Sequence, residues 1–251
     1  MRRLLHARRL LAIYFMALLC ALIVWQAPAR LADQALRSLT DERIRLLETQ
    51  GSIWAGGGIL SERVNQSYHP WAKLRWEFDA RRLFAALLSV RVALDEQPEL
   101  QLQAGISGFR LDAPRLALPA GPLVRAIPHP AGRLGWNGQL TVNGTLRHCN
   151  WHGVCDGELL VTLSNTTVSA LPDPALGDYS AYLKFAAPGI ELLLDSAEHN
   201  RLKAQGIARL SPGREFHGEV RLGGDPLFLE QIASMTADVS HWRAGALVMA
   251  W

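Results

Sequence analysis

Many short stretches of this sequence alternate apolar and polar residues, and that two-residue period restricts the fold more than any other feature. Residues 71–78, 157–163 and 215–222 follow it, with Gly- and Pro-rich turns between such stretches. Because successive side chains of a strand point to opposite faces, the pattern predicts half-buried β-strands. About ten of them follow one another as in a meander, so we predict an all-β, antiparallel fold with short helical turns.

An uncharged apolar stretch, residues 10–27, precedes the strand-like region. As a helix its eighteen residues would span roughly 27 Å, close to the ~30 Å hydrocarbon core of a bilayer. Leu10 and Ala27 bound the stretch, and Trp25 stands where an interfacial aromatic residue is expected. A cleaved signal peptide is the alternative, but its apolar region is usually only about 7–15 residues long. We therefore predict an uncleaved transmembrane helix.

Charge is distributed unevenly along the chain. The formal net charge is +3, from 26 basic and 23 acidic residues. Five arginines (Arg2, Arg3, Arg8, Arg9 and Arg30) precede the first acidic residue, Asp33, and the remaining chain has slightly more acidic than basic residues. The charge balance thus removes most of the support for a nucleic-acid-binding domain, which would need a basic face, and we predict no nucleic-acid partner. By the positive-inside rule the N-terminus is cytoplasmic, so the rest of the chain lies beyond the membrane.

Cys149 and Cys155 enclose a short polar segment between two strand-like stretches, whereas Cys20 lies within the apolar stretch. In an oxidising compartment the pair can form a disulfide, which is our prediction. Zinc is an alternative because His148 and His152 are adjacent, although their spacing matches no standard zinc motif. Free thiols are the third possibility.

The sequence contains no recognisable catalytic or nucleotide-binding motif. The glycine-dense residues 51–58 are followed by neither Lys-Ser/Thr nor a predicted helix, so they do not indicate a phosphate-binding loop. Gly-x-Ser-x-Gly and His-Glu-x-x-His are both absent from the sequence. We therefore predict a protein that is not an enzyme, with no cofactor and no metal.

Several motifs, in order along nearly the whole chain, resemble one known family. Residues 49–57 (TQGSIWAGG) resemble the TGTVWSG opening of type II secretion system protein N, also called general secretion pathway protein N. Residues 71–78 resemble its L-x-W strand, residues 176–179 match its LGDY element, and residues 202–222 resemble its closing hairpin. The residues that carry this resemblance, with an expected structural role, are Gly51, Trp54, Gly56, Trp76, Gly177, Asp178 and Tyr179.

The resemblance implies a non-catalytic, single-pass protein of the bacterial inner membrane that assists export of folded exoproteins across the outer membrane. Its partners would be other inner-membrane and periplasmic secretion components. The expected organisation is a cytoplasmic basic start with the membrane anchor (1–28), a juxtamembrane linker (29–45) and a periplasmic β domain (46–251) that forms a curved meander sheet.

The alternation leaves a second hypothesis open. A sheet with one apolar face must cover it by curving, by packing on another sheet or by holding an apolar ligand. An AsmA-like periplasmic protein that binds or transfers lipid in such a groove fits the same pattern. An open apolar trough would favour this alternative, and a filled core would favour a scaffold.

Overall fold

The computed structural model describes residues 14–16, 18–19, 22–23, 25–64, 66–83, 85–126, 135–152, 154–169, 175–186, 189–211, 216–235, 240–243 and 245–250. The chain divides into two compact units, with the boundary between Phe78 and Asp79. Both units are built from antiparallel strands, and most paired strands are consecutive in the sequence. This is expected for alternating segments joined by tight turns.

The described residues from 28 to 78 of the first unit form one helix and three strands: α1 (Arg30–Leu39), β1 (Ile44–Gly51), β2 (Ala55–Val64) and β3 (Ser67–Phe78). Strand β2 lies between β1 and β3. Helix α1 covers the outer edge of β1, where the Asp33 carboxylate accepts a 2.8 Å hydrogen bond from the Leu46 backbone amide. An edge strand leaves such amides unpaired, so this contact protects the edge from pairing with another chain.

The second unit contains eleven strands and three short helices among its described residues. They are α2 (Ala80–Leu83), β4 (Leu87–Leu94), β5 (Leu100–Gly105), β6 (Gly108–Pro119), α3 (Ala120–Ala126), β7 (Trp136–Cys149), β8 (Asp156–Val168), β9 (Ala175–Ala186), β10 (Gly189–Ser196), β11 (Leu202–Leu210), β12 (Phe216–Gly224), α4 (Pro226–Met235), β13 (Ser240–Arg243) and β14 (Ala246–Ala250). Consecutive strands are neighbours up to β12, which pairs with β14, while β13 pairs with β14 from the other side.

A hydrophobic core lies where α4 packs on the sheet of the second unit. Leu229 of α4 is 2% exposed, and it clusters with Leu202, Leu222 and Leu247 from three strands. Burying such side chains contributes about 1.5–3 kcal/mol each. The helix therefore covers one end of the apolar face of this sheet.

The predicted all-β, antiparallel fold with short helices is confirmed, but the strand count is corrected. Fourteen strands occur among the described residues, instead of about ten. Residues 240–250, to which no strand had been assigned, add two strands.

In the part of the chain that the structure describes, no helix combines the length and the apolarity that a membrane crossing requires.

Candidate interaction sites

The turn between β1 and β2, residues 51–55, satisfies nearly all of its backbone groups within the protein. Ser52 Oγ accepts hydrogen bonds of 3.2 Å from the Trp54 and Ala55 amides, and the Ser52 amide donates to the Ala55 carbonyl. Gly51 adopts a φ of +83°, and an added Cβ there would collide with the Ala55 carbonyl oxygen. The turn therefore requires glycine at its first position.

Residues 27–29 are tied to this same turn by backbone hydrogen bonds. The Ile53 amide donates to the Ala27 carbonyl at 2.9 Å, and the Ala29 amide donates to the Gly51 carbonyl at 3.2 Å. The chain that leaves the apolar stretch is thus fixed against the β1–β2 turn before α1 begins.

We call these hydrogen bonds between residues 27–29 and the turn the tether. Three aromatic rings lie in a row beside it. The ring centroids of Trp25 and Trp54 are 6.3 Å apart, and those of Trp54 and Phe78 are 5.8 Å apart in an edge-to-face arrangement. Beneath the turn, the buried Trp76 donates from Nε1 to the Ile53 carbonyl at 3.0 Å, and its ring lies against Gly56. Aromatic pairs at such distances attract beyond their buried area. We call residues 51–55 with these rings the aromatic turn.

The described residues between 14 and 25 are helical and strongly exposed. Eight large side chains are between 43% and 69% exposed: Tyr14, Phe15, Met16, Leu18, Leu19, Leu22, Ile23 and Trp25. Ala27 is half-buried, and Leu10, the first residue of the predicted span, lies outside the described residues.

Cys149 and Cys155 form a disulfide, as predicted, so neither is available as a zinc-binding thiolate. Within the loop that they close, Asn150 Oδ1 accepts hydrogen bonds of 3.0 Å from the amides of His152 and Val154. We call residues 149–155 the cystine loop.

Trp151 of the cystine loop projects into solvent yet is held in place. Its side chain is exposed (60%), while its Nε1 donates to the carbonyls of Gly105 and Ile106 at 3.1 and 3.0 Å. The Phe109 ring centroid lies 5.8 Å from that of Trp151, and Ile106 is 86% exposed. An open groove of about 450 Å³ adjoins the loop and is lined by Leu87, Phe109, Arg110 and His148, among others. The result is a rigid apolar projection.

The Gly177–Tyr179 segment fastens β9 to the turn between β10 and β11. The buried Asn200 bridges to Asp178, accepting from its amide at 2.9 Å and donating to its carbonyl. The Tyr179 hydroxyl donates to the Leu202 carbonyl at 2.9 Å, and burial raises the pKa of Tyr179 to about 12. Gly177 has a φ of +115°, and a Cβ there would collide with the Asn200 side chain. These contacts have a structural role, and we call residues 177–179 the Gly177–Tyr179 corner.

One face of the strands in the second unit remains only partly buried away from α4. The register places apolar side chains of β8, β9 and β10 side by side on that face. They are Leu159, Val161, Leu183, Phe185, Ile190 and Leu192, all of intermediate exposure. This partly exposed surface can contact an apolar ligand.

Among the described residues, no group of three or more His, Cys, Asp or Glu side chains could hold a metal ion. The polar residues that organise the turns, Ser52, Asn150 and Asn200, were not singled out from the sequence. Ser, Asn and Asp commonly bind nearby backbone amides in turns, so the first two carried a weak signal. Asn200 did not, because its partner at Asp178 is distant in sequence.

A family model, that of type II secretion system (T2SS) protein N, aligns with residues 42–236 of this chain. No curated protein and no solved structure matches significantly. The aligned region includes the β1–β2 turn, the cystine loop and the Gly177–Tyr179 corner.

Proposed function

Because the chain belongs to the type II secretion system protein N family, we propose that it is a non-catalytic, single-pass inner-membrane component of that system. It assists export of folded exoproteins across the outer membrane through contacts with other inner-membrane and periplasmic components. Family membership carries the link to secretion and to the cell envelope. The exposed apolar helix residues support the anchor, and the rigid Trp151 projection supports a contact site.

The anchor is residues 10–27. Tyr14, Phe15 and Met16 are consecutive and all exposed, so their side chains spread over about 200° of a helix circumference. A helix that packs on a protein core needs an apolar stripe of only about 100°. Large apolar groups spread this widely require an apolar solvent, which a bilayer supplies.

The orientation follows from charge and from cysteine chemistry. The arginine-rich start favours a cytoplasmic N-terminus. The disulfide Cys149–Cys155 favours an oxidising compartment such as the periplasm. We propose residues 1–28 as the basic start and anchor, 29–45 as the juxtamembrane linker and 46–251 as the periplasmic β domain.

The cystine loop is the proposed contact with a protein partner. Trp and other aromatic anchors dominate interface energetics when they are exposed before binding and held in one conformation. Trp151 meets both conditions, since two backbone carbonyls and the disulfide limit its motion. Ile106 extends the same apolar projection.

Deletion of the gene with complementation tests this proposal. We expect the deletion strain to retain exoproteins in the periplasm, and wild-type protein to restore their secretion. Trp151→Ala should restore secretion poorly at equal protein level, whereas Trp242→Ala, a matched exposed tryptophan on β13, should restore it fully. Normal secretion in the deletion strain would overturn the proposed role.

A lipid-binding function is the second candidate, and the partly buried apolar face of β8–β10 favours it. Leu192 lies on that face, while its neighbour Leu193 points to the other side and is 46% exposed. If acyl chains occupy the face, phospholipid will copurify with the protein, Leu192→Gln will reduce the amount, and Leu193→Gln will not. Lipid-free purified protein would eliminate this function.

A further inference from the structure

The aromatic turn combines three properties that are seldom found together in a turn exposed to water. Its backbone is internally satisfied, it carries a row of aromatic rings, and it is tied directly to the end of the apolar stretch. Each property follows from separate contacts, and each points to the same surroundings.

The backbone of the turn needs very little from solvent. The four amides from Ser52 to Ala55 donate, in order, to the Ala55 carbonyl, the Ala27 carbonyl and, for the last two, Ser52 Oγ. The carbonyls of Gly51, Ile53, Trp54 and Ala55 all accept hydrogen bonds. Unsatisfied backbone groups cost several kcal/mol in the hydrocarbon core of a bilayer, so a turn whose backbone groups are already satisfied can lie against that core without this cost.

The tether determines where the turn lies. Because the Ala27 carbonyl accepts from the Ile53 amide, the last residue of the apolar stretch and the turn are within one hydrogen bond of each other. If that stretch ends at the surface of a bilayer, the turn lies at the same depth. This step rests on the proposed anchor.

The aromatic rings and the flanking polar residues indicate which layer of the bilayer the turn occupies. Trp25 is 62% exposed and its ring centroid lies 6.3 Å from that of Trp54, and tryptophan concentrates where one end of its ring is apolar and the other is wet. Gln26 and Arg30 are exposed beside the tether, and Arg30 can meet lipid phosphate. The level that suits both groups is the headgroup layer.

We infer that the aromatic turn is a second membrane contact of this protein: a lipid-headgroup binding surface, formed by residues 51–55 with Trp25, Trp54 and Phe78, that seats the first unit on the bilayer. It fixes the first unit against the membrane surface, where a single helix alone would leave it free to swing.

A depth measurement on the full chain tests this inference. Ala55→Cys and Ser67→Cys are made in a Cys20→Ala background, labelled with an environment-sensitive fluorophore and reconstituted into phosphatidylethanolamine–phosphatidylglycerol vesicles. Both positions are exposed, and they lie at opposite ends of the β2–β3 hairpin, roughly 30 Å apart along β2. Gln50→Cys, also exposed at the aromatic turn, replaces Ala55→Cys if the latter does not fold.

We expect brominated phospholipid to quench the label at residue 55 several-fold more than the label at residue 67. Equal quenching at the two positions, in protein that floats with the vesicles, would overturn the inference and leave the anchor intact. Protein that fails to float with the vesicles would overturn the anchor and this inference together. Flotation therefore separates the two failures.

Discussion

The aromatic turn and the cystine loop both hold a tryptophan in a defined position, but they do so with different contacts. Each presents a tryptophan beside a tight turn, and in each one side-chain oxygen, Ser52 Oγ or Asn150 Oδ1, accepts from two backbone amides. The aromatic turn is also tied by hydrogen bonds to residues 27–29, whereas the cystine loop is closed by a covalent bond.

The difference indicates what each surface can do. The aromatic turn is held by residues 27–29, which directly follow or end the apolar stretch. Its position is therefore coupled to the position of that stretch. A disulfide limits the conformations of the cystine loop whatever the position of the apolar stretch. The first arrangement suits a fixed membrane contact and the second suits a contact with a soluble partner.

The largest expected effect comes from closing the space beneath the aromatic turn. In Gly56→Ala, the added Cβ would lie 2.7 Å from the Gln50 carbonyl oxygen and from the Trp76 ring, so the turn must shift. We expect a loss of about 3 kcal/mol in the free energy of unfolding, measured by urea denaturation.

Gly223→Ala is the matched control for this substitution, since nothing lies within 4 Å of its added Cβ. It should change stability by less than about 0.5 kcal/mol. Similar losses for the two variants would show that the packing of the aromatic turn is not what Gly56 preserves.

Removing the cross-link should have the next largest effect. In Cys149→Ser/Cys155→Ser, the unfolded chain regains the entropy of a short loop, which costs about 2 kcal/mol of stability. The contacts that hold Trp151 in the folded protein should also loosen. Its fluorescence and faster proteolysis within residues 149–155 would report this change. Cys20→Ser serves as the cysteine control, and an unchanged unfolding midpoint in the double variant would contradict the prediction.

Removing the two side-chain acceptors compares the sites directly. Ser52→Ala should cost about 1–2 kcal/mol, because the Trp54 amide is partly buried and loses its acceptor. Asn150→Ala should cost roughly half as much, because the amides of the exposed residues His152 and Val154 can bind water while the disulfide keeps the loop closed. Equal losses in denaturation would mean that the disulfide does not substitute for these hydrogen bonds.

The smallest effect is expected at the Gly177–Tyr179 corner, which has neither tether nor cross-link. Tyr179→Phe removes the hydrogen bond to the Leu202 carbonyl, at a cost of about 0.5 kcal/mol near neutral pH. The folded pKa of about 12 exceeds the ordinary value of 10.0, so the folded state holds this proton more tightly.

That pKa difference gives the corner a pH dependence. The stabilisation is complete below pH 10 and declines as the pH rises through 12, so the free energy of unfolding should fall across this window. Tyr179→Phe should fall less steeply in denaturation measured on either side of pH 10. Parallel curves for the two proteins would contradict the assigned burial of the hydroxyl.

Much of the fold was predictable because it depends on local patterns. Two-residue alternation requires strands, and turn residues between short strands favour antiparallel neighbours. The pair Cys149 and Cys155 is close in sequence, so the disulfide needed no knowledge of the fold. The family resemblance likewise rested on ordered local motifs.

Contacts between distant segments could not be predicted in the same way. Nothing local to residues 27–29 indicates that they bind the β1–β2 turn, and nothing near Asn200 identifies Asp178 as its partner. The pairing of β12 with β14 also leaves no local signature.

By itself, the sequence determined the all-β class, the apolar stretch, the disulfide and the family. The tertiary structure decided which segments meet: the tether to the aromatic turn, the seat of Trp151 and the end of the sheet that α4 covers. The reason is that alternation specifies which side of a strand is apolar, while long-range hydrogen bonds and shared burial specify what that side contacts.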